Sequence, residues 1–497
     1  MEVRIAVLSD LHAGPAVAGS ECRGDLAECL LRRAVNRLRR WLRPDVVLVL
    51  GDLVEDATAA GAEQQLRRLA EIIGKLECPV AVLRGNHDPE RSVFYRHLPS
   101  PGDHLDLKGV RFVFFDDPAE PGYTARRTER DLARMAAAGA GHEGPLVSVQ
   151  HVPVAPEGVE CPYRMNNGAE VIKVMRRCGY ALSVAGHYHR GLEAIRRDDS
   201  AGGGFLAAPA LSRPPFEFLL VELKGREVKC RRQPLAMPTG LHLTDFHVHT
   251  PFAYCSEDMD IGRAQALAED FGLAGLTFTE HASHLCFSRE QHKAIVHQQQ
   301  GQGAARPEHD RFGPWRAALA RAGVADRNIG LEVDCDFHGA LLLKEGYRES
   351  VRFLLGAVHE VGESVRPAPN IHRLTEQFMA GTEKLLRAGV AVLAHPLRLF
   401  ERKGLPAPPG LYGRVVEKLR ANGVAAEVNF HKADPDVEFY ETCLRAGVRL
   451  TLGSDAHHLS QVGELWPHVE LLKRLGAASN LEEVLFDPRG GPRRPVR

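Results

Sequence analysis

Five short motifs in the first half of the chain combine carboxylate, imidazole and amide side chains, and each motif directly follows an apolar run. In chain order they are Asp10-Leu11-His12, Gly51-Asp52, Gly85-Asn86-His87-Asp88, His151 and Gly186-His187-Tyr188-His189. In layered α/β proteins, ligands collect at the ends of strands. This mixture of donors suits Mn, Fe or Zn better than Ca²⁺, which prefers oxygen ligands alone. The pattern predicts a metal centre built from strand ends.

A second series of polar residues begins after residue 240, where 16 of the chain's 24 histidines lie. His247 and His249 end an apolar run, and side chains two residues apart on a strand point to the same face. Further polar residues mark later strand ends, and these are His281, Glu332, His359, His395, Asp455 and His457. In a βα barrel, functional residues project from the C-terminal ends of several strands. The second half therefore predicts a metal centre of its own.

Apolar runs that alternate with amphipathic segments predict the elements that position these motifs. In the first half, strands are predicted at 3–9, 45–50, 79–84, 110–116 and 145–150, and helices at 25–42 and 62–75. Three further strands are predicted at 203–208, 216–223 and 226–232. Because no helical segment separates these three, we expect them to be antiparallel.

The second half repeats a strand-helix pattern. Its predicted strands cover 241–246, 274–279, 328–333, 353–358, 390–394, 425–429 and 449–453, and helices are predicted at 261–271, 372–387 and 435–446. Seven βα units in about 250 residues predict a barrel. The polar, aperiodic segment 291–310 is predicted to be a loop and a candidate flap over the site.

The stretch RRQPLAMPTG at 231–240 separates the two halves. Its two prolines and glycine cannot continue a helix or a central strand. We therefore predict two domains, 1–232 and 241–497, joined by a linker at 233–240.

The composition is that of a globular protein, with 44% hydrophobic and 26% charged residues and a formal net charge of -1. Near neutrality argues against a broad basic face for nucleic acid. The ten cysteines form no CxxC pair, the N-terminus does not resemble a signal peptide, and no apolar run approaches the roughly 18 residues that span a bilayer. We expect a cytoplasmic protein that does not bind membranes. The sequence does not predict its oligomeric state.

The order of the first five motifs resembles that of calcineurin-like metallophosphoesterases, over roughly residues 1–230. RPDVVLVLGDLVED and CPVAVLRGNHDPE are most similar to the branch that contains bacterial cyclic-nucleotide phosphodiesterases. The resemblance implies a four-layer αββα sandwich with two divalent metals, which would be Mn, Fe or Zn. One metal would be held by Asp10, His12, Asp52 and His189, and the other by Asp52, Asn86, His151 and His187. His87 would stabilise charge on the substrate phosphate or protonate the leaving group, and Asp88 would orient His87.

The second half resembles the PHP family of polymerases and histidinol phosphatases, over roughly residues 241–485. FHVHTPFAYC, TEHAS, GLEVD and TLGSDAH are most similar to histidinol-phosphatase-like members. The resemblance implies a distorted (β/α)7 barrel that holds two to three divalent metals, which would be Zn, Mn or Fe. The first metal would be held by His247, His249, Glu332 and Asp455, and the second by Glu332, His359 and His395.

A third metal would use His281, His457 and the residue six positions after His249. That residue is a histidine in the family and is Cys255 here. A thiolate binds Zn well, so Cys255 either preserves this site or is a small apolar filler. Arg398 either binds the substrate phosphate through its two-pronged guanidinium or lies on the surface. Four more histidines near the motifs are candidate outer or solvent-facing residues, and these are His284, His338, His431 and His458.

These features predict a bifunctional metal-dependent phosphoesterase that acts on small phosphorylated substrates. The first site is expected to hydrolyse a phosphodiester such as a cyclic nucleotide, and the second a small phosphomonoester such as histidinol phosphate. The two sites are predicted to act in sequence, because both occur in one chain. One alternative is a nuclease for nucleic-acid ends or oligonucleotides, which the neutral charge disfavours. Another is a non-catalytic regulatory protein, which would lack metal ligands, whereas only Cys255 departs from the pattern.

Overall fold

The computed structural model describes residues 2–194, 203–297, 309–336, 341–344 and 346–490. The chain divides into two compact units, Met1–Ala236 and Met237–Arg497. His338 and most of the predicted flap, residues 298–308, lie outside the described residues. The described part of the chain contains no disulfide bond. None of its helices has both the length and the apolar character needed to cross a membrane.

Unit 1 is a mixed α/β structure. Its strands are β1 (Glu2–Leu8), β2 (Val46–Val49), β3 (Val80–Val82), β4 (His104–Leu107), β5 (Val110–Phe114), β6 (Ala119–Glu120), β7 (Thr124–Ala125), β8 (Leu146–Val149), β9 (Tyr180–Ala185), β10 (Leu192–Ala194), β11 (Gly204–Ala207), β12 (Glu217–Lys224) and β13 (Glu227–Pro234). Its α-helices are α1 (Ala27–Arg37), α2 (Ala62–Ile73), α3 (Arg91–His97), α4 (Glu129–Ala137) and α5 (Gly168–Cys178). The predicted strands and helices of this half are confirmed to within a few residues.

Two sheets pack face to face in unit 1. Their strand orders are β13-β12-β1-β2-β3 and β10-β11-β9-β8-β5-β4. Alternate side chains of β1, such as Ile5, share one buried apolar cluster with Phe112 and Val147 of the other sheet. Helices α4 and α5 cover the far face of the second sheet through Met135 and Met175. Because β1, β2 and β3 are parallel, the motifs that follow them emerge at one edge.

The antiparallel pairing expected for the last three predicted strands is confirmed for β12 and β13 but is wrong for β11. Strand β11 runs parallel to β9, with Gly204 opposite Leu182. The reason is the three-residue strand β10, which was not predicted and which pairs antiparallel with β11. This extra strand reverses the chain, so that β11 returns in the direction of β9.

Unit 2 contains one seven-stranded sheet. Its strands are β14 (Thr244–Val248), β15 (Gly275–His281), β16 (Ile329–Val333), β17 (Phe353–Gly356), β18 (Val392–Leu393), β19 (Ala425–Asn429) and β20 (Leu450–Gly453). They are parallel and paired in chain order. Strands β14 and β20 lie side by side, and a bridge joins Val248 to Ala456. The sheet is therefore nearly closed, which is compatible with the predicted barrel.

Helices connect the strands of unit 2. They are α6 (Ile261–Asp270), α7 (Ala282–Cys286), α8 (Arg289–His292), α9 (Phe312–Arg321), α10 (Ile371–Arg387), α11 (Arg398–Arg402), α12 (Leu411–Asn422), α13 (Val437–Arg445), α14 (Trp466–Arg474) and α15 (Leu481–Val484). A π-helical turn, Lys293–His297, continues α8. The loop predicted from residue 291 is therefore wrong for its first seven residues. A capping box formed by Ser288 and Gln291 starts α8, and this local signal outweighs the polar composition.

Candidate metal centres

The metal-ligand candidates of unit 1 lie in sharp turns directly after the strands. Four of them, Asp10, His12, Asp52 and His187, have positive φ angles of 58°, 48°, 52° and 64°. Side chains other than glycine rarely adopt this left-handed conformation. Neighbouring glycine permits the crowding, because a Cβ on Gly85 would lie 2.2 Å from Asp52 Oδ1. The strained turns aim the polar side chains at a common point.

Asp10, His12 and His189 form the first group of candidate ligands. His12 Nε2 lies 3.0 Å from His189 Nε2, and these atoms lie 3.7 and 3.5 Å from Asp10 Oδ1. Ligand atoms bound about 2.0–2.2 Å from one metal are roughly 3.0–3.5 Å apart, so these spacings are close to a coordination shell. Asp10 Oδ1 is buried and makes no hydrogen bond. The three side chains fit a divalent metal.

Asp52, Asn86, His151 and His187 form the second group. His151 Nε2 lies 3.0 Å from Asn86 Oδ1 and 3.3 Å from Asp52 Oδ2. His187 Nε2 faces the carbonyl oxygen of Tyr123 at 2.8 Å, and its buried Nδ1 has no hydrogen-bond partner. Asp52 Oδ2 also lies 3.9 Å from His12 Nε2 of the first group. Asp52 thus stands between the two groups, as a bridging ligand would.

The charges of this centre are balanced in pairs. Burial disfavours the ionised form of Asp52, but the neighbouring His151 outweighs burial and holds the pKa of Asp52 to about 2. In turn, burial disfavours the charged form of His151, yet Asp52 raises the pKa of His151 to about 9. Buried carboxylates need a positive charge beside them. The centre is therefore suited to cations.

The role of Asp88 differs from the one that the resemblance implies. His87 Nδ1 lies 2.7 Å from the carbonyl oxygen of Glu55, so this carbonyl, not Asp88, orients the His87 ring. Asp88 instead accepts hydrogen bonds from the backbone N–H groups of Leu53, Val54 and Gly85 at 2.8, 3.2 and 2.9 Å. The orienting role expected for Asp88 is thus corrected. Asp88 ties together the turns that carry Asp52 and Asn86.

Glu55 is a site residue that the motifs did not single out. Its carboxylate Oε2 lies 2.8 Å from His12 Nδ1, the ring nitrogen opposite the one that faces His189. Its sequence signal is weak, because Glu55 lies only three residues beyond Asp52 in an ordinary acidic turn. A cavity of about 440 Å³ opens over this centre.

In unit 2, Glu332 lies between two groups of histidines. Its Oε1 lies 2.9 Å from His395 Nε2 and 3.5 Å from His359 Nε2. Its Oε2 lies 2.6 Å from His281 Nδ1 and 3.5 Å from His247 Nε2. His247 Nε2 is buried and makes no hydrogen bond. A carboxylate with each oxygen facing a different imidazole set fits a bridge between two metals.

Asp455 completes the group that contains His247 and His249. Its Oδ1 lies 3.0 Å from His249 Nε2 and 3.6 Å from His247 Nε2. Asp455 and His395 again have positive φ, 55° and 32°. Burial opposes the ionisation of Asp455, but His247 and Arg398 hold its pKa well below the usual range. The ligands of unit 2 thus share the backbone strain and the charge balance of those in unit 1.

A second layer of carboxylates holds the histidines of unit 2. Glu427 lies 2.7 Å from His247 Nδ1 and accepts the backbone N–H of His395 at 2.7 Å. Asp334 lies 2.5 Å from His359 Nδ1. Such contacts fix the tautomer and leave Nε2 for a metal. Sequence reasoning missed both residues, although Asp334 lies inside the GLEVD motif.

A third group in unit 2 consists of His249, His281 and His457, whose ligand atoms lie within 4.8 Å of one another. Cys255 is exposed, and its Sγ lies 3.5 Å from His281 Nε2. The thiol therefore faces the ring nitrogen of a candidate ligand, and its exposed position does not suit an apolar filler.

Arg398 is buried, so the surface-arginine alternative is wrong. Its guanidinium donates to Asp455 Oδ2 at 2.6 Å and to Asn429 Oδ1 at 2.5 Å. It also lines a cavity of about 730 Å³ above the centre, as do His284 and His431. His458 instead accepts from the backbone of Ser460 and caps a short 3-10 helix.

Comparison with known proteins finds a family model that matches part of unit 1. Residues 3–191 match the model of the calcineurin-like phosphoesterases. Residues 3–191 form a calcineurin-like phosphoesterase domain. The chain that carries this domain is a metal-dependent phosphoester hydrolase.

Solved structures similar to this chain include several phosphatases. A dimetal phosphatase from Danio rerio is 16% identical with a TM-score of 0.38, and the match covers 47% of this chain and 98% of that one. A histidinol phosphate phosphatase from Lactococcus lactis, solved with zinc, L-histidinol and phosphate, is 18% identical with a TM-score of 0.33 and covers 47% and 94%. Purple acid phosphatase PPD1 from yellow lupin seeds is 12% identical with a TM-score of 0.32 and covers 47% and 52%. No curated protein matches the chain.

Proposed function

We propose that the chain is a bifunctional phosphoesterase with one metal centre in each unit, unit 1 being an αββα sandwich and unit 2 a PHP-type distorted (β/α)7 barrel. The observation that supports this proposal is the repeated arrangement of a buried carboxylate, Asp52 or Glu332, between two groups of imidazoles. Two divalent metals, Mn, Fe or Zn, would supply Lewis acidity to the ester and to the attacking water. The chain's own residues position both reactants.

In unit 1 the proposed substrate is a phosphodiester with a planar ring, such as a cyclic nucleotide. Tyr123 and Tyr163 line the cavity, and their side chains are 65% and 45% exposed. Their rings lie 6.1 Å apart and almost perpendicular, and the Tyr163 ring lies 6.1 Å from His187. Exposed aromatic rings beside a phosphate-binding centre offer surface for stacking a base. His87, held by the carbonyl of Glu55, faces the same cavity as donor to the leaving group.

In unit 2 the proposed substrate is a small phosphomonoester. Basic side chains line its cavity, and these are Arg289, Lys293, Arg398, Arg402 and Lys432. A monoester carries more negative charge than a diester, so it gains more from such surroundings. Glu257 and Glu360 also line this cavity and would favour a substrate that carries an amine, as histidinol phosphate does.

The test is a panel of phosphodiesters and phosphomonoesters, assayed with Mn, Fe and Zn. We expect Asp52→Asn to lower diester hydrolysis at least about 100-fold and to leave monoester hydrolysis unchanged, with Glu332→Gln giving the reverse. Asn and Gln keep the shape of the side chain and remove the bridging charge. If one variant abolished both activities, the assignment of separate substrates would be wrong. If neither variant changed any activity, the two centres would not be catalytic.

The same panel tests whether the two sites act in sequence. A nucleoside cyclic phosphate would first be opened to a monoester, and unit 2 would then release inorganic phosphate. In that case Glu332→Gln would accumulate the monoester from the diester. Phosphate release at the wild-type rate in this variant would contradict sequential action.

A further inference from the structure

One arginine at the rim of the unit 1 cavity belongs to neither group of candidate ligands. Arg213 lines this cavity together with His12, Asp52 and His87. Its side chain is 25% exposed, and its guanidinium pairs with a carboxylate oxygen of Glu21 at 2.5 Å. Glu21 lines the same cavity and is 71% exposed. The arginine is the sheltered member of the pair, and its partner can turn into solvent.

The backbone holds Arg213 beside the first group of candidate ligands. The preceding residue, Ser212, donates from its hydroxyl to the backbone carbonyl of Asp10 at 2.8 Å. Three residues before Arg213, the backbone N–H of Ala210 donates to the carbonyl of His189 at 3.1 Å. The guanidinium is therefore carried by a segment that is tied to two of the candidate ligands.

The exposed tyrosines of the cavity belong to the second group. The carbonyl oxygen of Tyr123 lies 2.8 Å from His187 Nε2, and the ring of Tyr163 lies 6.1 Å from that of His187. Asp52 lies between the two groups. The cavity thus has an aromatic end at the tyrosines and an end with a cationic side chain at Arg213, and the candidate metal centre lies between them.

A second cation lies at the same end as Arg213. Arg190 directly follows His189, is exposed and lines the cavity. Glu55, the other carboxylate near the first group, faces His12 Nδ1 at 2.8 Å. The carboxylate on Arg213 is therefore that of the exposed Glu21, which a negative group of the substrate can replace.

We propose that Arg213 binds a second phosphate group of the diester substrate, so that unit 1 favours nucleotide diesters with two phosphates over those with one. This proposal rests on the proposed phosphodiesterase function of unit 1. The ester to be cleaved lies at the metal centre, a base stacks on the tyrosines, and the second phosphate replaces Glu21. Arginine suits this role because its planar guanidinium binds phosphate oxygens in pairs. A cyclic nucleotide with one phosphate would leave Arg213 unused.

The test compares the dinucleotide ApA with pApA and ApAp, which carry one further phosphate at the 5′ or the 3′ end. Full-length Glu332→Gln protein is used with Mn²⁺, so that unit 2 does not remove the terminal phosphate. We expect kcat/KM to be at least about tenfold higher for pApA or ApAp than for ApA, because hydrogen bonds between two charged groups are strong. Adding Arg213→Gln should reduce this ratio to about one.

Two further variants and a control define the contact. Glu21→Gln should raise the ratio about two- to fivefold, because it removes a competitor whose exposed ion pair contributes only a modest free energy. Arg213→Lys should retain part of the ratio, and circular dichroism checks that each variant is folded. Arg68→Gln is the matched control, because Arg68 pairs with Glu28 at 3.2 Å and neither residue lines the cavity. The ratio should be unchanged in this control.

Binding separates this proposal from the phosphodiesterase function. Calorimetric titration of the three dinucleotides into Asp52→Asn/Glu332→Gln protein, with and without Arg213→Gln, measures Kd in Mn²⁺ buffer. If no diester were hydrolysed but tighter binding of pApA or ApAp depended on Arg213, the phosphodiesterase function would be wrong and the role of Arg213 would stand. Equal kcat/KM and equal Kd for all three dinucleotides before the Arg213 change would overturn the proposal. An equal loss for all three in Arg213→Gln would also overturn it, since the arginine would then act on the cleaved phosphate.

Discussion

At the scale of single residues, the second layer of carboxylates determines how the imidazoles of unit 2 present their nitrogens. Glu427 is fully buried. Its carboxylate contacts the ring nitrogen Nδ1 of His247 and accepts the backbone N–H of His395. Without the Glu427 carboxylate as acceptor, the His247 ring would be free to turn or to adopt the other tautomer. Glu427 is therefore a positioning residue for two ligands at once.

We expect Glu427→Gln to weaken metal binding in unit 2 about 10–100-fold, because an amide cannot accept at both positions with the strength of a carboxylate. Metal content after dialysis against graded chelator concentrations measures this loss. Glu441→Gln, an exposed position on α13, is the matched control and should bind metal like the wild type. Equal metal retention in the Glu427 and Glu441 variants would contradict the positioning role.

The sequence predicted which ligand residues come together but not what holds them. Each candidate ligand follows an apolar run, and parallel strands bring such positions to one edge, so Asp52 and His151 could be expected to meet. Glu427 could not, because its partner His247 lies 180 positions away and neither composition nor spacing distinguishes a buried glutamate from a surface one. The role of Asp88 was wrong for a related reason, since its backbone partners depend on the shape of two turns.

At the scale of elements, the turns after β2 and β3 must approach each other closely for Asp52 to stand between the two groups of candidate ligands. Gly85 is the point of closest approach, since an added Cβ would lie 2.2 Å from Asp52 Oδ1 and 2.5 Å from its backbone nitrogen. A backbone atom cannot move aside as a flexible side chain can. The absence of a side chain at this position is therefore a requirement of the centre.

We expect Gly85→Ala to lower metal affinity and phosphodiester hydrolysis in unit 1 at least about tenfold, because the methyl group displaces the bridging carboxylate. The metal binding and the monoester hydrolysis that we propose for unit 2 should be unchanged. Gly413→Ala is the control, because this position in α12 has no neighbour within 4 Å and alanine favours helix. If Gly85→Ala hydrolysed diesters at the wild-type rate, the two turns could move apart without loss of activity, and this prediction would be wrong.

Helix α11 contains a carboxyl group whose surroundings favour its neutral form. Burial raises the pKa of Glu401 to about 7, with Arg398 opposing the shift and Asp436 and Asp434 adding to it. The folded pKa lies above the ordinary value of 4.5, so the stability that protonated Glu401 contributes is complete below pH 4.5 and is lost as the pH rises through 7.

We therefore expect Glu401→Gln to be more stable than the wild type at pH 8, by about 1–2 kcal/mol after allowance for partial solvent screening. The difference should shrink as the pH falls toward 4.5. Urea denaturation at pH 5 and pH 8, followed by the fluorescence of unit 2 tryptophans, measures it. A stability difference that is constant with pH would contradict this account.

The elements themselves were largely predictable, and the failures have local causes. Long apolar runs such as those of β1 and β16 mark buried parallel strands clearly. Strand β10 has only three residues and carries no such signal, so the direction of β11 could not be predicted. Helix α8 was missed because its capping box is followed by a polar stretch that is typical of loops.

At the scale of the whole molecule, each unit carries buried carboxylates beside imidazoles, and bound metals or protonated histidines would neutralise them. A metal that binds the folded state at 100 times its Kd adds about 2.7 kcal/mol to the free energy of unfolding. Both units are expected to gain stability in this way.

We therefore expect chelation to lower the thermal stability of the chain and Mn, Fe or Zn to restore it. The restored stability should have two contributions, one from each centre. Asp52→Asn should remove one part and Glu332→Gln the other. Differential scanning calorimetry of the apo and metal-loaded forms, with both variants, measures these contributions. A metal-induced gain that either variant abolished completely would contradict two independent centres.

The left-handed backbone at the ligand positions also determines how these centres should be mutated. Asparagine tolerates positive φ far better than alanine does, because its short polar side chain hydrogen-bonds locally. Replacing Asp10, Asp52 or Asp455 by asparagine therefore removes one charge and preserves the turn. Alanine at the same positions would have two effects at once, because it removes the ligand and also destabilises the turn. An alanine scan would exaggerate the catalytic importance of these three aspartates, whereas a scan with asparagine would report on metal binding alone.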